Sequence, residues 1–218
     1  MLILRKDLEV ELRSGEVLTT SGLFAVLVVV VGSMAFYSGP EATVEIAPGV
    51  IWVAVSFATV LALARSWQRE REHDAFGGLL CMPVARSAIF VGKALGLALF
   101  VGVLELLVIP LSALLLDVPL VRVGPGLGLL CLVATPGIAA TGTLFGAMTL
   151  RTGARELVLA GVLFPLLAPT LLASVVATRE LCAGASLAEL GGHLGLVAFF
   201  DLLFVVGGIG LFGTLIEP

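Results

Sequence analysis

Glu105 and Asp201 are carboxylates set well inside long apolar runs, a placement that calls for chemistry. An ionised carboxylate in hydrocarbon costs ~2.5–3.5 kcal/mol on insertion scales, so each must face protein or water, or carry a proton. Two readings stay open: a substrate or proton route, or a hydrogen-bonded acid that packs helices, since neither has a basic residue within its own run. A second feature is the charged segment Arg71, Glu72, His73 and Asp74, which runs into Phe76, Leu79 and Leu80 before Pro83 stops it. Phe76, Leu79 and Leu80 fall at i, i+3 and i+4 and share one helical face. Charges for register followed by apolar anchors predict a short docking helix seated in the groove of a cytoplasmic partner. The alternative is a helix folded back onto the membrane surface.

Other chemistries find no constellation. The chain has no Gly-x-Ser-x-Gly elbow and no His-Glu-x-x-His, and Gly92-Lys93 stands outside any phosphate-cradling loop. The sequence therefore predicts no enzyme, and ATP, if it drives the protein, binds to another chain. Metal ligation is not expected either. His73 and His193 fall on opposite sides of the membrane and read as solvated, although His193 faces the compartment where a haem or metal ligand would be useful. Cys81, Cys131 and Cys182 share neither depth nor compartment, which argues against a disulfide, and no Cys-x-x-Cys-His is present.

The elements that position these residues follow from composition. Of 218 residues, 59% are hydrophobic and 13% charged, with mean hydropathy +1.16. Soluble domains run about 45–50% apolar and about 25% charged, so a soluble enzyme, a disordered chain and a nucleic-acid binder are excluded. An apolar helix needs roughly 20 residues to cross the hydrocarbon core. Six such runs occur, at 18–37, 47–64, 88–116, 124–150, 157–177 and 194–216, joined by a connector at 65–87. All belong to a single domain over 1–218. A cleaved signal peptide ending near Ser33-Met34-Ala35 is the lesser reading of the first run, because its leader is rich in acids.

Ten of the twelve basic residues fall on one side: Arg5, Lys6, Arg13, Arg65, Arg69, Arg71, Arg86, Lys93, Arg151 and Arg155, against Arg122 and Arg179. The basic side is cytoplasmic, so both termini are expected inside. Leu4, Leu8 and Leu12, spaced by four within the charged segment 1–16, predict an amphipathic helix lying in the interface. Pro110, Pro136, Pro165 and Pro169 are expected to kink their helices. Gly92, Gly96, Gly142, Gly146, Gly207, Gly208 and Gly210 would permit close helix approach.

The segment Glu70-Arg71-Glu72-His73-Asp74 through Leu79-Leu80-Cys81-Met82-Pro83-Val84-Ala85-Arg86, followed by Gly92-Lys93, resembles the stretch after the second span of ABC-2 type permeases. Ile46-Ala47-Pro48-Gly49-Val50-Ile51-Trp52-Val53-Ala54 resembles more specifically the CcmB family, the haem exporter permeases of cytochrome c maturation. So does the stretch from Ala134-Thr135-Pro136 through Gly142, Gly146-Ala147-Met148-Thr149 and Arg151-Thr152-Gly153-Ala154-Arg155, with Pro165 and Pro169 after it. Ala75-Phe76-Gly77-Gly78 departs from the Gly-Ser or Gly-Thr followed by Leu that is usual there.

The resemblance implies an all-α membrane protein of the ABC-2 permease fold in the bacterial inner membrane, with a cytoplasmic coupling helix between spans two and three. It implies a dimer of this chain with two copies of a cytoplasmic ATPase that holds the ATP. A haem-handling membrane protein with a Trp-rich motif, a small membrane subunit and a periplasmic haem chaperone complete the expected complex, with haem as the transported substrate. Trp52 and Trp67 form no Trp-rich cluster, so this chain is not the haem-handling partner. Permeases for a lipid, polysaccharide or drug, and a membrane scaffold, are the alternatives.

Overall fold

The computed structural model describes residues 2–36, 40–72, 77–78, 84–149 and 155–216, and among the described residues it is helical with no strand. A short helix, α1 (Leu2–Ser14), precedes six long ones: α2 (Glu16–Ala35), α3 (Pro40–Glu72), α4 (Arg86–Leu115), α5 (Leu120–Thr149), α6 (Arg155–Ala183) and α7 (Gly191–Ile216). All six long helices contain an apolar stretch sufficient to cross a membrane. Helices are the expected solution, because a lipid-exposed backbone must satisfy every N–H and C=O within its own segment.

Helix α5 is the centre of the bundle, packed against α3, α4, α6 and α7. Its apolar stretch is 72% buried, against 28% for α2 and 17% for α7, which lie at the periphery. Small residues set the closest approaches. Gly142 on α5 meets Leu63 and Leu97, and a Cβ at Gly146 or Gly208 would overlap Trp67 or Phe90. Gly207 and Gly210 behave otherwise: nothing lies within 4 Å of a Cβ at either, so both face outward from α7 instead of mediating packing. Across the bundle, Trp52 Nε1 on α3 donates to Thr178 Oγ1 on α6 at 2.9 Å.

Pro110, Pro136, Pro165 and Pro169 all lie inside helices, and so do Pro48 and Pro125. The largest departure from the sequence reading is at 65–72. Those residues were expected to begin the connector, yet α3 continues as helix to Glu72. Arg65 and Arg69 are matched by Glu11 of α1 and Glu16 of α2, and Glu70 by Lys6 of α1 and Lys93 of α4, which lets this charged segment stay helical against the bundle.

The described basic residues of α1, α3 and α4 gather at one end. Arg69 reaches Glu11 and Glu16, Lys93 reaches Asp7, and Arg86 lies beside Gly213 near the end of α7. The N-terminal helix and the last turns of α7 therefore share one end of the bundle. At the other, Arg122 donates to the carbonyl of Cys182, and His193 Nδ1 lies 3.4 Å from Glu180 Oε2.

Candidate functional site

The turn from α1 into α2 is built on Gly15, whose φ of 61° is left-handed and suits a residue without Cβ. Glycine cannot cap the following helix with a side chain, and Glu11 does so from the preceding turn. Its buried Oε1 accepts Leu18 N–H at 2.8 Å, and its Oε2 accepts Arg69 Nη1 at 2.8 Å. One carboxylate thus satisfies an orphan donor of α2 and ties α1 to the end of α3.

Beside it lies a quartet of charges. The ammonium of Lys93, on α4, is bonded to Asp7 Oδ2 of α1 at 2.8 Å and to Glu70 Oε1 of α3 at 2.5 Å. Lys6 reaches the same Glu70 oxygen at 2.6 Å and lies 3.3 Å from Asp7. Two cations and two anions leave the cluster neutral, which is how charges survive burial. The Lys93 side chain is only 4% exposed, and its ammonium sits 5.9 Å from the Trp67 ring centroid. Burial alone would lower the pKa of Lys6, but the Glu70 hydrogen bond and the Asp7 and Glu70 charges outweigh it and hold it above the usual lysine value. Gly92 and Gly96 make room for the docking of α1, since Cβ atoms there would press on Ile3 and approach Leu4 and Asp7.

The face of α1 that meets the bundle is distinct from the leucine stripe that the sequence assigns to the membrane interface. Ile3 and Glu11 are buried and Asp7 nearly so, while Leu12 is 86% exposed. Ion pairs to α3 and α4 decide the orientation, and Leu4 and Leu8 only flank that seam.

Of the predicted docking residues, Arg71 and Glu72 close α3, immediately after Glu70. His73, Asp74, Phe76, Leu79 and Leu80 lie outside the described residues, as do Cys81 and Pro83. The ion quartet therefore adjoins the start of the connector that carries them. Sequence reasoning missed Lys93, Asp7 and Glu70 as a site. The available signal was a lone lysine within an apolar run, a position that demands a partner.

The two intramembrane acids both meet α5, on either side of one proline. Glu105, from α4, lies 2.9 and 2.8 Å through its two oxygens from Thr135 Oγ1. Asp201, from α7, accepts Gly137 N–H at 2.9 Å. Thr135, Pro136 and Gly137 are consecutive, so the carboxylates flank the place where the α5 hydrogen-bond ladder loses a donor. A Cβ at Gly137 would overlap Asp201, which restricts that position to glycine. Among the described residues no cluster of three or more metal-ligating side chains occurs.

Residues 1–208 match the family model described as CcmB protein. A protein named heme exporter protein B from Rhodobacter capsulatus is 30% identical over 176 residues, 78% of each chain. Its namesake in Bradyrhizobium diazoefficiens is 26% identical over 184 residues, covering 84% of this chain and 82% of the relative. The Pseudomonas aeruginosa protein of that name is 28% identical over 173 residues, 78% of this chain and 76% of the relative. With a match that begins in α1 and ends within α7, this six-span chain belongs to the CcmB family.

Proposed function

We propose that this chain is the permease subunit of an ABC-type haem export complex serving cytochrome c maturation. The observation that carries the reading is the family match over residues 1–208, which takes in every element from α1 into α7. Its relatives named heme exporter protein B supply the substrate class. In this reading two copies of the chain bind two copies of a cytoplasmic ATPase, and ATP resides there. A haem-handling membrane protein, a small membrane subunit and a periplasmic haem chaperone act on the far side. The work done is export of haem, its transfer, or release of the loaded chaperone. The basic end of the bundle faces the cytoplasm and both termini lie inside, in keeping with the ten-to-two distribution of basic residues.

The coupling route runs through the connector. Closure of the ATPase pair moves the segment Arg71 to Leu80, and Glu70 passes that motion to Lys93 of α4 and to α1 through the ion quartet. Binding energy would come from Phe76, Leu79 and Leu80, with Arg71, Glu72, His73 and Asp74 fixing register. The test is co-purification and ATPase stimulation in nanodiscs, with and without haem and chaperone. Phe76→Asp with Leu80→Asp should abolish both co-purification and stimulation; unchanged values would refute the docking assignment. Stimulation by a lipid, polysaccharide or drug instead of haem would refute the substrate.

A further inference from the structure

We propose that Glu105 is a proton-binding site within the membrane, and that its proton sets the hydrogen bonding of α5 at the Thr135–Pro136–Gly137 break. Thr135 Oγ1 lies 2.7 Å from the Cys131 carbonyl oxygen and within 2.9 Å of both Glu105 oxygens. A hydroxyl has one hydrogen to donate. Thr59, Thr141 and Thr178 each give theirs to the carbonyl four residues earlier, and Thr135 stands in the same relation to Cys131. If Thr135 does likewise, the contact with Glu105 needs a hydrogen from Glu105 itself. Both bonds are made together when Glu105 is a carboxylic acid donating to Thr135 Oγ1. When the proton leaves for bulk water, the threonine hydroxyl must turn to the carboxylate, and the Cys131 carbonyl loses that bond.

Among the described residues the surroundings supply no counter-charge. Glu105 is buried, 4% exposed. From α5 it faces the Thr135 hydroxyl and the Cys131 thiol, which lies within electrostatic range. From α7 the ionisable group at this break is Asp201, itself an acid. The charges on α1, together with Glu16 of α2 and Arg65, Arg69 and Glu70 of α3, belong to the basic end around Lys93. Glu45, Arg122 and His193 lie near the outer ends of α3, α5 and α7. Asp201 differs in kind, because it receives a hydrogen from Gly137 and its pairing needs no proton of its own.

The location gives the proton a mechanical consequence. Pro136 provides no N–H, so the Leu132 carbonyl has no helical donor, and the next N–H, on Gly137, is taken by Asp201. The Thr135–Cys131 bond spans the turn just before this interruption. Its loss loosens the remaining half of a break already held from outside by α4 and α7.

Infrared spectra of the full chain in nanodiscs test the site. The wild type should show the carbonyl stretch of a protonated carboxylic acid at neutral pH and lose it at alkaline pH. Glu105→Gln should lack the band, Asp201→Asn should keep it, and Thr135→Val should shift it. A wild type with no such band at neutral pH, or a band that survives Glu105→Gln, overturns the proposal. Amide hydrogen exchange over Cys131 to Ile138, corrected for base catalysis, should quicken with pH in the wild type and stay flat in Glu105→Gln. Equal pH profiles in the two proteins would refute the coupling to α5. Should Glu105→Gln fail to fold, the wild-type titration and Thr135→Val decide the matter.

Discussion

Replacing Lys93 by methionine removes the hub of the ion quartet while keeping the length of the side chain. Its ammonium is bonded at 2.8 Å to Asp7 and at 2.5 Å to Glu70, with the lysine 4% and the acids 11% and 6% exposed. Removing one partner of a buried pair costs about 3–5 kcal/mol, chiefly because the other charge is left without compensation. Lys6 remains on both acids but is 39% exposed, so it offsets only part of the loss. An expected cost of about 3 kcal/mol follows, roughly a hundredfold in the folding equilibrium.

Glu70→Gln in the Lys93→Met background should recover much of this, because the uncompensated anion is then gone. The coupling energy from the four-protein cycle should be about 2 kcal/mol, in the range measured for residues in contact. Reversible unfolding in mixed micelles supplies the free energies, and tryptic cleavage at Arg5, Lys6 and Arg13 reports release of α1. A coupling below about 0.5 kcal/mol would show that the two residues act independently, and the clamp would be refuted.

Gly137→Ala should cost about 1–3 kcal/mol by forcing Asp201 away from α5, whereas Gly207→Ala, with open space around it, should stay within about 0.5 kcal/mol of wild type. Equal unfolding midpoints for the two variants would contradict the packing described. The raised pKa of Lys6 means that its contribution to docking α1 is complete below the ordinary value of 10.5 and is lost as pH rises above that through the raised value. A spin label at exposed Leu12 should therefore gain mobility only in that alkaline range, and Lys6→Gln should show the same mobility across it; a gain between pH 6 and 8 would point to another group.

Lipid makes some features legible in one dimension. A spanning helix must be apolar over most of its length, so six runs could be counted without knowing a single contact. The same solvent made Glu105 and Asp201 conspicuous, and each has a protein partner on α5. What the sequence hid is what depends on distant pairing. Lys93 and Asp7 are 86 positions apart, and no local pattern joins them. For the same reason Arg65 to Glu72 read as the start of the connector 65–87, although Arg69 reaches back to Glu11 and Glu16 and the helix persists. The face of α1 that meets the bundle was equally hidden, because it is set by Asp7 and Glu11, whose partners lie on α3 and α4.

Lys93 and Glu105 stand on one helix, and the contrast between them follows from depth. Near the end of α4, where Lys6 still touches water, a buried cation can be matched by two anions and a second cation, and the result is a neutral set of full charges. Twelve positions further, about 18 Å along the axis, the neighbours are apolar and the polar partner is a hydroxyl. Full charges there would need a counter-ion that α5 and α7 do not offer, so neutrality is reached by a shared hydrogen. The two arrangements constrain motion differently. The quartet resists separation of α3 and α4 because parting either exposes an unmatched charge, and parting α1 breaks the contacts of Lys6 with Glu70 and of Asp7 with Lys93. The Glu105–Thr135 contact can change with one proton and no charge partner to move. Helix α4 is thus held by ion pairs near its start and at mid-depth by a hydrogen bond across the α4–α5 seam at Thr135.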